Sequence, residues 1–331
     1  MNRVFVFEYL TGGGETTADE PGTAELAAHG RAMRDAVAAD LARAGGWAVS
    51  TAVGAWAPDA PEHTTPVQMK AGETSFDFVA AQAALHDQTW VIAPETDGLL
   101  AQLQRRVDAA RWIGCDWAAV RTASSKRATL LRLAGRGLIT PLAFERSAEV
   151  ARWVVKPDDG AGAVATQVHA SRHAAWGDFE QRSRGGKAIS IEPWIEGEAL
   201  SLSLRCRSNQ TELLSINRQQ ITVAPGGAVG LHGVELRALP LDDLRGSVLQ
   251  AIAIEVARAI PGLRGFVGID LVWHAQRGPV IIEVNPRVTT AYVGLSALLG
   301  RNLAAEMASA QAADSVVLQT LPIAPSRHAH A

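Results

Sequence analysis

Glu283-Val284-Asn285-Pro286-Arg287 closes an apolar run, Pro279-Val280-Ile281-Ile282. Thirteen residues before Glu283, Asp270 ends a second apolar run, Gly265-Phe266-Val267-Gly268-Ile269. Both runs read as strands. Residues i and i+2 of a strand point to one face, so Glu283 and Asn285 present a carboxylate and an amide oxygen side by side. Asp270 adds a carboxylate from a neighbouring strand. Three hard oxygen donors followed by Arg287 suit Mg2+ shared with phosphate oxygens. The same residues also fit a plain strand–turn–strand hairpin with polar ends, and the stretch alone leaves both readings open.

The rest of the chain narrows the choice. At 331 residues it suits two or three subdomains with cores of their own. A net charge of -3, from 31 basic and 34 acidic side chains, gives nucleic-acid binding no support. Cys115 and Cys206 are isolated and form neither a disulfide framework nor a zinc spacing. The apolar start, Val4 to Phe7, is too short for a signal peptide or a membrane span, so a cytoplasmic protein with no membrane contact is expected. The tail Ser326-Arg327-His328-Ala329-His330-Ala331 reads as a solvated end, with metal capture by its histidines as the other reading.

Residues 4–7 predict a buried parallel strand, followed by the loop Thr11-Gly12-Gly13-Gly14. An alanine-rich helix is expected over about 24–44, a strand over 47–53, a helix over 75–85, a strand over 89–93 and a helix over about 99–112. This βα alternation indicates a parallel α/β sheet, which binds ligands beyond the carboxyl ends of its strands. Glu8, the triple glycine, Glu95 and Asp97 fall at such ends. A second region starts near Gly114, with Ser124-Ser125 capping a helix over 126–134 and strands near 153–156, 166–170 and 188–192. A third, strand-rich region carries helices near 244–259 and 291–310. The expected division is 1–113, 114–192 and 193–312, with a tail from 313 to 331.

Lys156 ends a strand just before Asp158-Asp159-Gly160-Ala161-Gly162-Ala163. That loop is small enough to fold over phosphates and offer them backbone N–H groups, with Lys156 as a point cation. It lacks the Walker A spacing. Lys126 lies in the first turn of its helix, against the helix dipole, a cost that a nearby anion would remove. Both lysines also fit ordinary surface positions. Ile189-Ser190-Ile191-Glu192-Pro193-Trp194-Ile195-Glu196-Gly197-Glu198 offers extended backbone between Glu192 and Ile195 for an adenine, and Glu198 for ribose hydroxyls; an acidic turn after a strand is the plainer alternative.

Taken in order, a lysine, a lysine–glycine loop, Glu-x-x-Ile-x-Gly-Glu, and Asp followed by Glu-x-Asn-Pro-Arg resemble the ATP-grasp superfamily of carboxylate–amine ligases over residues 114–310. The resemblance implies an N-terminal parallel α/β domain, a small lid subdomain and a C-terminal antiparallel-sheet domain, with ATP between the last two. It implies that Lys126 and Lys156 contact ATP phosphates beneath the loop bearing Gly160 and Gly162. Glu192 and Ile195 would bracket the adenine, Glu198 would hold the ribose, and Asp270, Glu283 and Asn285 would ligate Mg2+ (or Mn2+). Arg287 would stabilise the acyl phosphate or the transferred phosphoryl group. Alanines at 161 and 163 depart from the glycine or serine of many members. Amide bond formation through an acyl phosphate is the implied reaction, and it needs no nucleophilic side chain.

The substrates are expected to be a small-molecule carboxylate and an amine. Arg218, in the strand Ser215 to Ile221, reads as a carboxylate clamp or a solvent-facing arginine. His232, in the glycine-rich stretch 226–233, reads as a handler of the amine's proton or as a structural histidine. Tyr292 would line the cleft or pack a helix. The segments 4–14, 94–98 and 217–219 look most like the tyramine–glutamate ligase group of methanofuran and methylofuran biosynthesis. The alternatives are another amino-acid ligase of dipeptide or D-alanine–D-alanine type, and a non-catalytic ATP-binding regulator. Assembly as a monomer or homodimer stays open.

Overall fold

The computed structural model describes residues 1–15, 22–160, 162–208 and 210–320, with side chains described as far as residue 313. Ala161 and the two tail histidines named above lie outside the described residues.

Four strands, β1 (Asn2–Glu8), β2 (Trp47–Val53), β3 (Thr65–Gln68) and β4 (Gln88–Ile92), form a parallel sheet in the order β3-β2-β1-β4. Helices α1 (Thr23–Ala44), α2 (Ser75–Leu85) and α3 (Leu99–Gln104) cover it. The period of two in β1 sorts its side chains between two cores. Phe5 and Phe7 pack with Phe78 and Val79 of α2, while Val4 and Val6 pack with Met33, Val37 and Leu41 of α1. Two expectations need correction. β3 was not foreseen, and α3 ends at Gln104 instead of continuing to residue 112. Asp108 folds the chain back by accepting from Ala110 N at 2.9 Å, and Thr89 then pairs with the backbone of Arg111 and Ile113. Such local side-chain bonds compete with helix.

A small antiparallel sheet follows, β6-β5-β7, made of β5 (Trp153–Pro157), β6 (Gln167–His169) and β7 (Ile189–Pro193). Its helices are α4 (Trp117–Ala123), α5 (Lys126–Ala134), capped by Ser125 as expected, and α6 (Arg172–Ser183), which the sequence reading missed. The third sheet, β10-β9-β8-β11-β12, is wholly antiparallel: β8 (Glu198–Arg207), β9 (Gln210–Val223), β10 (Val229–Leu239), β11 (Gly265–His274) and β12 (Gly278–Asn285). Leu200, Leu202 and Leu204 pack one face against Leu249, Ala253 and Val256 of α7 (Leu244–Ala259). The other face carries a polar row, Asn217–Ser201–Asp270–Glu283, running straight across four strands.

The helix expected near 291–310 is broken into a 3-10 turn (Thr290–Tyr292), α8 (Leu295–Leu299) and α9 (Leu303–Thr320). Asn302 caps α9 by accepting from Ala305 N at 3.0 Å. The proposed tail thus begins inside α9. The stretch 226–233, expected as a loop, becomes β10 from Val229 onward. The tip of the β9–β10 hairpin also reaches the small sheet. Val168 N donates to Gly227 O at 2.8 Å and Val229 N to Thr166 O at 3.1 Å.

Gly197 joins β7 to β8 at φ 152°, and a Cβ there would stand 2.3 Å from the carbonyl oxygen of Trp273. Both the clash and the dihedral exclude other residues. Gly197→Ala is expected to cost about 2 kcal/mol or more, read as a lowered thermal midpoint.

Candidate active site

Asp270 of β11 sits directly opposite Glu283 of β12, and Asn285 follows on the same face. The amide of Asn285 donates to Asp270 Oδ2 at 3.1 Å, and Gln219 of β9 donates to Oδ1 at 3.0 Å. Burial, and then the charge of Glu283, push the Asp270 carboxyl well above the usual carboxylate range. Lys126 Nζ lies 3.2 Å from Glu283 Oε1 and donates to Gly160 O at 2.5 Å. Burial would lower its pKa, but Glu283 and Glu95 outweigh that and raise it. Among the described residues no group of three or more His, Cys, Asp or Glu side chains is placed to hold a metal ion. Asp270, Glu283 and Asn285 together offer two carboxylates and an amide. Two carboxylates facing each other, with Asp270 pushed towards its protonated form, joined by an amide oxygen, fit a hard divalent ion such as Mg2+.

Two concavities meet at these residues. One, of about 520 Å³, is lined by Lys126, Lys156, Glu192, Ile195, Glu198 and Glu283, and Val154, Leu271 and Ile282 supply apolar wall. Gly160 and Gly162, of the loop expected over phosphates, border it. Lys156 and Glu192 form a buried ion pair at 2.5 Å, so Glu192 contributes its side chain as well as its backbone. The Asp158 carboxylate meets the first turn of α5, accepting from Arg127 N at 2.9 Å and from Ser125 Oγ at 2.6 Å, while the Lys126 ammonium pairs with Glu283.

The other concavity, of about 980 Å³, opens at the carboxyl ends of the parallel sheet and takes in Glu8, Asp97, Asp159 and Arg287. Tyr9, Leu26, Met33, Phe76 and Leu99 give it apolar wall. Asp270, Asn285, Gln219, Gly160 and Gly162 line both spaces. Glu8 Oε2 accepts from Thr11 N at 2.8 Å and Thr11 Oγ1 at 2.7 Å, and burial raises its pKa. Arg287 forms a fork with Glu95, Nε to Oε1 at 2.8 Å and Nη2 to Oε2 at 3.0 Å.

Four sequence-derived residues fall elsewhere or are already engaged. Arg218 lies on the 520 Å³ side and is held by Glu198 at 2.9 Å and Glu235 at 2.8 Å, so it does not stand in the larger cleft as a carboxylate clamp. Glu198 is shared with Arg245 at 2.7 Å; burial opposes ionisation, but Arg245 and Arg218 hold its carboxyl below the usual range. His232 lies in β10, bonded to Thr222 Oγ1 at 2.7 Å, and lines neither space. Tyr292 is fully buried, its hydroxyl donating to Asp40 Oδ2 at 2.6 Å in α1, so it packs a helix. Sequence reasoning missed Gln219, although it stood in the quoted 217–219 segment. The polar alternation Asn217-x-Gln219 was the available signal, because Asn217 begins the row that reaches Asp270.

Comparison with known proteins agrees with this geometry. Residues 123–291 match the model of the ATP-grasp domain, and residues 47–120 match the pre ATP-grasp 3 domain. The chain is 29% identical over 213 residues to tyramine–L-glutamate ligase of Methanocaldococcus jannaschii and 29% identical over 211 residues to that of Methanocaldococcus fervens. Each match covers 63% of this chain but only 58% and 61% of the relatives' length. The fold is similar to that of D-alanine–D-alanine ligase from Bacillus anthracis complexed with ATP, with a TM-score of 0.62, 14% identity and coverage of 96% and 100%. With the matched domain spanning the lysines, the phosphate loop and the Asp–Glu–Asn–Arg set, the chain belongs to the ATP-grasp domain family.

Proposed function

We propose that this chain is an ATP-dependent carboxylate–amine ligase. It joins the γ-carboxylate of glutamate to the amine of tyramine or a tyrosine-like acceptor, in methanofuran or methylofuran biosynthesis. The observation that carries the reading is that Asp270 and Asn285 line both concavities. ATP in the smaller space brings its γ-phosphoryl group to the junction, and a carboxylate in the larger space approaches from the other side. A carboxylate oxygen attacks the γ-phosphorus, the bond to the β-phosphate bridging oxygen breaks, and ADP leaves. The amine then attacks the acyl carbon, phosphate leaves with the acyl oxygen, and the ammonium loses a proton.

Lys126 and Lys156 neutralise the phosphates, and Arg287 faces the group in transfer. Asp270, Glu283 and Asn285 would hold Mg2+ (or Mn2+), which supplies charge neutralisation to the phosphate oxygens when bound. The apolar wall of Tyr9, Phe76 and Leu99, beside the acids Glu8 and Asp97, suits an aromatic amine. The demand for ATP and free glutamate suits the cytoplasm. No helix of the described residues is long and apolar enough to cross a membrane.

An ADP-release assay tests the assignment. Glutamate with tyramine or tyrosine is expected to release ADP, and glutamate alone far less. ADP release only with a pair of small amino acids would overturn the substrate assignment, and ATP binding without turnover for any pair would overturn the activity.

Two substitutions probe the parts. Asp270→Asn should lower turnover by about 100-fold or more, because it removes one of two charges facing the phosphates. The same change should stabilise the metal-free protein at pH 8. A carboxyl whose folded pKa is raised opposes folding at high pH and ceases to do so once protonated in both states, so the gain should shrink as pH falls below 7. Thermal midpoints across pH read the second effect. Lys156→Met combined with Glu192→Gln leaves no buried charge unpaired. It should weaken ATP binding by about tenfold or more in calorimetric titration, and unchanged affinity would remove Lys156 from the phosphate site.

A further inference from the structure

Glu95 follows β4 of the parallel sheet and Arg287 follows β12 of the third sheet, 192 residues apart. Their side chains are 5% and 11% exposed. A buried ion pair gives little net stability against an apolar pair of similar volume, so holding two sheets together is a weak explanation for it. The geometry offers a better one. Arg287 gives Nε and one Nη2 proton to Glu95 and one Nη1 proton to Val288 O at 3.2 Å. Three of five donors are used. The other two, one on each Nη, have no partner among the described residues, and Arg287 lines the larger cleft. Glu95 lines neither space, although Pro94, Thr96 and Asp97 beside it line the larger one.

From the sequence Glu95 was expected to contact substrate. We propose instead that Glu95 is a positioning residue for Arg287. It locks one edge of the guanidinium so that the remaining Nη donors are aligned on the oxygens of the transferring phosphoryl group. An arginine side chain left free loses that alignment to rotamer entropy. The turn bearing Glu95 is itself fixed to the phosphate loop, since Asp97 N donates to Asp159 Oδ2 at 2.7 Å. One short segment of the first domain thereby sets the guanidinium and the loop together. The inference rests on the ligase reading above.

The test combines kinetics with an observation that needs no turnover. Glu95→Gln should lower kcat about 10- to 100-fold while KM for ATP, carboxylate and amine stays within about threefold. Glu95→Asp, which keeps the charge, should recover part of the loss. Glu95→Gln in an Arg287→Ala background should cost at most about twofold more than Arg287→Ala alone, because the two act as one unit. A substrate KM raised about tenfold with kcat unchanged, or losses that multiply in the double variant, would overturn the proposal. In 15N-labelled protein the Arg287 Nε–H signal, assigned by its absence in Arg287→Lys, should be protected from exchange in the wild type and unprotected in Glu95→Gln. Equal protection in both would also overturn it. If no substrate pair supports turnover in the wild type, the ligase reading fails, and the exchange comparison still decides whether Glu95 orders Arg287.

Discussion

Two carboxylates facing each other across antiparallel strands repel, and burial makes the repulsion expensive. Asp270 and Glu283 are in that position. Much of the surrounding architecture answers this one constraint. Lys126 arrives from α5 to pair with Glu283, and amides from Gln219 and Asn285 close on both oxygens of Asp270. The sheet places a row of polar groups across four strands at this point, while its reverse is leucine-rich and packed on α7. Such an arrangement is poor for an apo protein and good for one that receives a cation and polyphosphate.

β1 was legible because it is buried on both faces and appears as a short continuous apolar run, Val4 to Phe7, whereas the largely exposed edge strand β3 gave no such run. Helices α2, α5 and α7 fell where periodicity and capping placed them, and Ser125 illustrates why: its side chain caps α5 from just outside the helix. Failures came where tertiary contacts overrode propensity. Residues 105–112 looked helical, but Asp108 and the pairing with Thr89 claim their backbone. The helix near 291–310 was split because Tyr292 and Ser296 are drawn to Asp40 and Asn302 starts a new helix.

That Asp270, Glu283, Asn285 and both lysines would gather around one concavity was readable from residue chemistry and order. Which polar groups had spare valence was not. Arg218 and Glu198 each looked available for a ligand, yet they are engaged mainly with each other, Glu235 and Arg245. Glu95 looked like a substrate contact because it ends a parallel strand, but its carboxylate is consumed by Arg287. No local pattern announces a partner 192 residues away. Pairing between distant charges is a property of the fold, and a sequence reading that treats each charged residue as free will over-assign ligands.

The hairpin of β9 and β10 ties these parts together mechanically. β9 runs unbroken for 14 residues. Its near end leads to the turn whose backbone is stitched to the small sheet at Gly227 and Val229, and its middle carries Gln219 against Asp270. Anchored at both places, β9 links the small sheet to Asp270. Any displacement of the small sheet relative to the third sheet must either break those backbone bonds or pull β9 along. In the second case the Gln219 amide would be drawn away from Asp270, so the small sheet and the acidic centre share one support.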